Sequence, residues 1–127
     1  MNREEFNKAF FEFCRQVIEY GKKSRNRGLL ALEEDLYLEN EQYLQRDIFW
    51  YGMRFVIDGT DREIIEKILS NIINQEEGGY QKTLMKIKKE AIISIREEDN
   101  PRIMMEKVNS YTDLSWDDPI MQELCKE

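Results

Sequence analysis

The chain has 127 residues, 41% hydrophobic and 35% charged, with a formal net charge of −7 and no histidine. Length and apolar content suit one folded domain with a modest core and exclude a disordered polar chain. The acidic balance argues against nucleic-acid binding through a general basic surface, and no run approaches the ~18 apolar residues of a membrane span.

Met1 to Glu5 carry both charge signs, and polar residues interrupt the aromatic stretch that follows, so no secretory leader is expected. Phe6, Phe10, Phe13, Val17 and Tyr20 recur at three- and four-residue spacing and predict a first helix with one apolar face. A basic segment follows, Lys22-Lys23-Ser24-Arg25-Asn26-Arg27. Then come Gly28, Leu29-Leu30-Ala31-Leu32 and the acidic run Glu33-Glu34-Asp35, with Glu39 and Glu41 beyond. Leu and Ala are strong helix formers, so the helix is expected to continue or resume through Gly28 at a cost of ~1 kcal/mol.

Residues 40–58 read as a second amphipathic segment rich in aromatics, with Tyr43, Phe49, Trp50, Tyr51 and Phe55. Asp58-Gly59 reads as a turn, and Thr60 with Glu63 as a capping box. Ile64, Ile65, Ile68, Leu69, Ile72 and Ile73 then make an apolar stripe. Gly78-Gly79 ends that helix. The next carries Leu84, Ile87, Ala91, Ile92 and Ile95 on one side and Lys82, Lys86, Lys88 and Lys89 largely on the other. Asn100-Pro101 is a helix-start signal, because Asn suits the N-cap and Pro the first turn. Ile103, Met104, Val108 and Tyr111 give this helix its face. Asp118-Pro119 repeats the signal for a short final element, and Trp116 lies in the tail. The expected fold is all-α: one domain, 1–127, a compact bundle of about five helices joined by short loops.

Chemistry is sparse. Without histidine there is no Ser-His or Cys-His arrangement and no imidazole metal ligand. No phosphate-cradling glycine loop occurs. The carboxylates lie in runs that do not isolate one in apolar surroundings, as a general acid requires. Cys14 and Cys125 belong to no CxxC pattern and read as reduced thiols of a cytosolic protein. No catalytic, cofactor or metal site is expected. What stands out is charge segregation around Gly28. On a continuous helix Arg25 and Glu33 would lie two turns apart on one side, roughly 12 Å from each other. Separated charges of this kind either dock an oppositely patterned partner or form a solvated face with weak local pairs.

Three segments carry a family resemblance. Residues 24–33, SRNRGLLALE, resemble the segment "ARxxGLLALE" that follows the second membrane helix of MotA-type flagellar stator subunits. Residues 52–61, GMRFVIDGTD, are similar to that family's "GLxLVVDGTD". Residues 91–110, AIISIREEDNPRIMMEKVNS, are similar to its cytoplasmic tail, with the pattern "AIxxGxNPRxxxEKL". The blocks occur in the family's order across roughly residues 12–112. Residues 1–77 then correspond to the loop between the second and third membrane helices, 80–112 to the tail, and 113–127 to an addition.

The resemblance implies a cytoplasmic module of a proton-driven stator. In that family MotA-type subunits assemble with MotB-type subunits and push on the rotor switch protein FliG. The rotor-contacting Arg and Glu of the first segment correspond to Arg25 and Glu33, with Lys22, Lys23, Arg27, Glu34 and Asp35 as supporting charges by proximity. The departure is large: the four membrane helices have no counterpart, so no proton conduction is expected. Gly78-Gly79 falls where the third and fourth would stand. It suits either a joint between two fused cytoplasmic parts, which its position slightly favours, or the native turn of a soluble paralogue. The alternative function is a soluble oligomerisation or regulatory module that associates with itself or with stator subunits.

Overall fold

Five α-helices and one 3-10 turn build the described part of the chain, residues 1–36 and 47–114 of a computed structural model. They are α1 (Arg3–Arg27), the 3-10 turn Leu29–Leu32, α2 (Ile48–Ile57), α3 (Arg62–Ile73), α4 (Gly79–Arg96) and α5 (Pro101–Asn109). Residues 33–36 are also helical. The fold is all-α as expected, with no strand among the described residues. The expectations placed on Glu39, Glu41, Tyr43, Trp116, Asp118-Pro119 and Cys125 fall outside them.

Helix α1 starts at a capping box that its first residues encode. The Asn2 side chain accepts from the Glu5 backbone N–H at 2.8 Å, and the Glu5 carboxylate accepts from the Asn2 N–H at 3.3 Å. Phe6, Phe10, Phe13 and Val17 are buried on one face, as their spacing requires. Phe13 meets Phe49 of α2 edge-on at 5.3 Å between ring centroids, and Tyr20 meets Trp50 at 5.0 Å. These pairs clamp α2 onto α1 and place Phe49 and Trp50 inside.

Helix α4 is the hub. It packs against α1, α2, α3 and α5, and Ala91, Ile92, Ile93, Ser94 and Ile95 are all buried in succession. A helix that buries five consecutive residues is enclosed on every side, because five steps run past a full turn. Helix α2 reaches it through Gly52: a Cβ there would stand 2.6 Å from Ile92 Cδ1 and 3.2 Å from Leu69 Cδ1. The N-cap of α2 is tied to the hub as well. Asp47 accepts from the Phe49 N–H at 3.0 Å and from Lys88 Nζ at 3.3 Å.

Two details depart from the periodicity. The stripe of α3 splits, with Ile65, Leu69 and Ile73 inside and Ile64 exposed. In α5 Met105 joins Met104 and Val108 in the core, while Ile103 faces out. Helix α3 packs chiefly against α2 and α4, and α5 against α1 and α4, so the side of each that faces away from its neighbours stays uncovered.

The close α2–α4 approach has a measurable consequence. Gly to Ala inside a helix normally stabilises by about 0.5–1 kcal/mol. Here Gly52→Ala is expected instead to cost about 1–3 kcal/mol through overpacking against Ile92. In urea denaturation, Gly52→Ala combined with Ile92→Val, which removes Cδ1, should cost less than the two single changes added.

Candidate docking site

The three family-like segments converge on one end of the bundle. Helices α2 and α4 both end in Schellman caps, where a left-handed residue lets two free N–H groups turn back to the last carbonyls. In α2 the left-handed residue is Gly59, with Gly59 N–H to Val56 O at 3.1 Å and Thr60 N–H to Phe55 O at 2.9 Å. In α4 it is Glu98, φ 57°, with Glu98 N–H to Ile95 O and Asp99 N–H to Ser94 O, both 3.0 Å. The caps are joined directly. Arg96 Nε donates to the Thr60 carbonyl at 3.0 Å, and Arg62 pairs with Glu97 at 3.4 Å.

This geometry replaces the expected capping box. Helix α3 starts at Arg62 behind Asp61, with no side-chain cap. The Thr60 N–H that Glu63 would have accepted is already given to Phe55 O, so the reciprocal bond has no donor. Asn100-Pro101 behaves as expected: Asn100 Oδ1 accepts from the Arg102 N–H at 2.7 Å, with Pro101 in the first turn.

Helix α1 reaches the same end. Its Gly21 lies against α5, where a Cβ would stand 3.2 Å from Met104 Cε. The helix does not continue through Gly28, as helix propensity had suggested. Gly28 adopts φ 88° and donates to Ser24 O at 2.7 Å, and the 3-10 turn folds back on α1. The reason is burial, since Leu32 is wholly enclosed in the core. Ordering Leu32 there outweighs the ~1 kcal/mol of local preference at stake at the glycine. Lys23 and Asp35 would be ~18 Å apart on a continuous helix; they form an ion pair at 2.8 Å.

Each charge singled out in the sequence thus has a place. Arg25, Arg27 and Glu34 are exposed, while Lys22 and Glu33 are half-buried. Lys23 and Asp35 pair with one another and brace the turn, which removes both from the charges free to face a partner. Lys22, Arg25 and Asn26 of α1 line a depression of ≈ 310 Å³ whose far side is Pro101 of α5. The partial positive charge of the α5 N-terminus adds to that of Lys22 and Arg25, and this rim suits an acidic side chain of a partner. Sequence reasoning missed the contribution of α5. Its signal was Gly21, a glycine inside a helix, which marks close approach of another element.

Behind the depression, Asp99 holds the α4–α5 connection together. It accepts from Lys107 Nζ and Ser94 Oγ, both at 2.6 Å. Burial alone would push this carboxyl up. The hydrogen bonds from Lys107 and Ser94, with the charges of Lys107 and Arg62, outweigh burial and hold it below the ordinary carboxylate value. Among the described residues no cluster of acidic or cysteine side chains is placed to hold a metal ion, and no helix is long and apolar enough to cross a membrane.

No protein-family model and no solved structure matches the chain. It is similar to two proteins named motility protein A. With that of Treponema phagedenis it shares 32% identity over 66 residues, 52% of this chain and 24% of that protein. With that of Borreliella burgdorferi it shares 38% over 53 residues, 42% of this chain and 18% of that protein. The likeness therefore covers about half of the chain and a quarter or less of the relatives' length.

The Asp99 node predicts a pH effect of definite sign. A carboxyl whose folded pKa is lowered stabilises fully above its unfolded value, near pH 4, and that stabilisation is lost as pH falls through the folded value. Wild type should therefore lose more stability between pH 5 and pH 3 than Asp99→Asn does. Urea denaturation of both proteins at the two pH values measures it.

Proposed function

We propose that the chain is a rotor-docking, torque-transmitting module of the flagellar stator type, and that it binds the rotor switch protein FliG through complementary charges around Arg25 and Glu33. The observation that carries this reading is the exposure of Arg25 on the rim of the α1–α5 depression, at the end where all three family-like segments meet. The partial likeness to motility protein A supports it. Lys22 and Arg27 extend the positive side, and Glu34 extends the negative side next to Glu33. Lys23 and Asp35 support the site by fixing the turn. The module works on the cytoplasmic side, where MotB-type and MotA-type subunits are further partners of a complete stator. It catalyses no reaction.

The mechanics follow from the fold. A force on Arg25 enters near the C-terminal end of α1, a helix of 25 residues whose whole inner face is anchored in the core. Such a helix moves with the domain rather than bending away from it. Exposed charge pairs contribute only about 0.2–1 kcal/mol each, which suits contacts that form and break quickly.

A second reading, self-association, has one observation in its favour. Ile64 is exposed on α3, and Ile68 and Ile72 of the same ridge are half-exposed. Sedimentation separates the two readings, because self-association through α3 is indifferent to charge reversal at Arg25.

Arg25→Glu should weaken binding to purified FliG by roughly 10-fold while leaving helicity and melting temperature unchanged, since exposed charges contribute little to stability. Glu33→Lys should weaken it too, with a small stability cost because Glu33 is half-buried. Unaltered binding by both variants in a pull-down would remove the proposal.

A further inference from the structure

Among the described residues, the most exposed large hydrophobic side chain is Leu30, at 70%; Met1 follows at 53%, Ile64 at 49% and Ile103 at 48%. Single exposed leucines are ordinary, but this one is held out by the fold. With three residues per 3-10 turn, Leu29 and Leu32 fall on the same side. Leu29 packs against the core and Leu32 is fully enclosed. Leu30, one step round, must then point to solvent. The left-handed Gly28 and the Lys23–Asp35 ion pair fix both ends of the turn. Leu30 is thus presented on a braced backbone, and little conformational freedom remains to be lost when it is covered.

Its neighbours along the chain give it a context. The exposed Arg25 and Arg27 precede it, and the exposed Glu34 follows it. The order is positive, apolar, negative within ten residues. Charge pairs alone orient an encounter and speed it. They do not hold it, because water and salt remain around them. An apolar side chain covered between charges of opposite sign supplies adhesion and keeps water from the pairs.

We infer that Leu30 is the apolar anchor of the docking face. Its partner is a protein surface that carries an acidic side chain opposite Arg25 and Arg27, an apolar recess opposite Leu30 and a basic side chain opposite Glu34. This rests on the docking reading above and adds what retains the partner once the charges have aligned it. An anionic lipid surface fits less well, because Glu34 and the net charge of −7 oppose it.

The test uses the full chain and purified FliG immobilised on a biosensor, with wild type, Leu30→Ser and Arg25→Glu compared at low and physiological salt. Leu30→Ser should raise the dissociation rate roughly 10-fold or more and leave the association rate within about 2-fold. Arg25→Glu should lower the association rate and flatten its salt dependence. Melting temperatures should match, since Leu30 contributes little to the core. Wild-type dissociation by Leu30→Ser, alongside weakened binding by Arg25→Glu, overturns the anchor and leaves the docking reading standing. Failure of wild type to bind FliG overturns both. Leu30-dependent binding to phosphatidylserine-containing vesicles, without FliG binding, overturns the protein partner.

Discussion

Everything in this molecule is organised by the enclosure of one short stretch, Ala91 to Ile95, on all sides of α4. Five buried residues in succession cannot be covered by a single neighbour, so four helices must close around them. That demand explains the glycine at position 52, where a side chain would collide with Ile92. It also explains why the charged caps lie where they do. Once the hub is enclosed, its C-terminus emerges beside the C-terminus of α2. The last carbonyls there accept from the N–H groups of two Schellman caps, and Arg96 joins the caps by donating to the Thr60 carbonyl. The candidate docking end is a consequence of the core.

The helices were legible because their apolar residues repeat at helical spacing and because Asn100-Pro101 is an unambiguous start signal. Phe6, Phe10, Phe13 and Val17 point inward as spaced, as do Leu84, Ile87, Ala91, Ile92 and Ile95. What failed to show was any choice made by tertiary packing against a small local preference. Gly28 costs a helix only about 1 kcal/mol, and nothing in the string GLLALE says that Leu32 has a slot in the core. Thr60 and Glu63 have the spacing of a capping box, but the Thr60 N–H is claimed by the cap of the preceding helix. Local motifs compete for the same donor, and the sequence does not record which one wins.

The site was legible to a different degree. Charge type and order around Gly28 are plain in the sequence. Which of these charges face solvent is not, since it depends on the reversal of the chain at Gly28. That reversal sorts the run of seven charges: Lys22 and Glu33 end half-buried. Lys23 and Asp35 become a structural clasp. Arg25, Arg27 and Glu34 remain outward. The clasp is only partly shielded, so its own contribution to stability is small. Its importance is geometric, because it ties the segment that follows the 3-10 turn back to α1.

A net charge of −7 sets a final condition on how such a face can work. An acidic partner is repelled by the molecule as a whole and attracted by the Lys22–Arg25 rim. At physiological ionic strength the screening length is about 8 Å. Beyond that distance the global repulsion is largely damped, and within it the local rim dominates. At low salt the repulsion reaches farther and works against the rim. Association with an acidic surface should therefore weaken less steeply with added salt than a simple count of charge pairs implies. Retention should then depend chiefly on what is buried after contact, and among the described residues the most exposed large apolar side chain is Leu30.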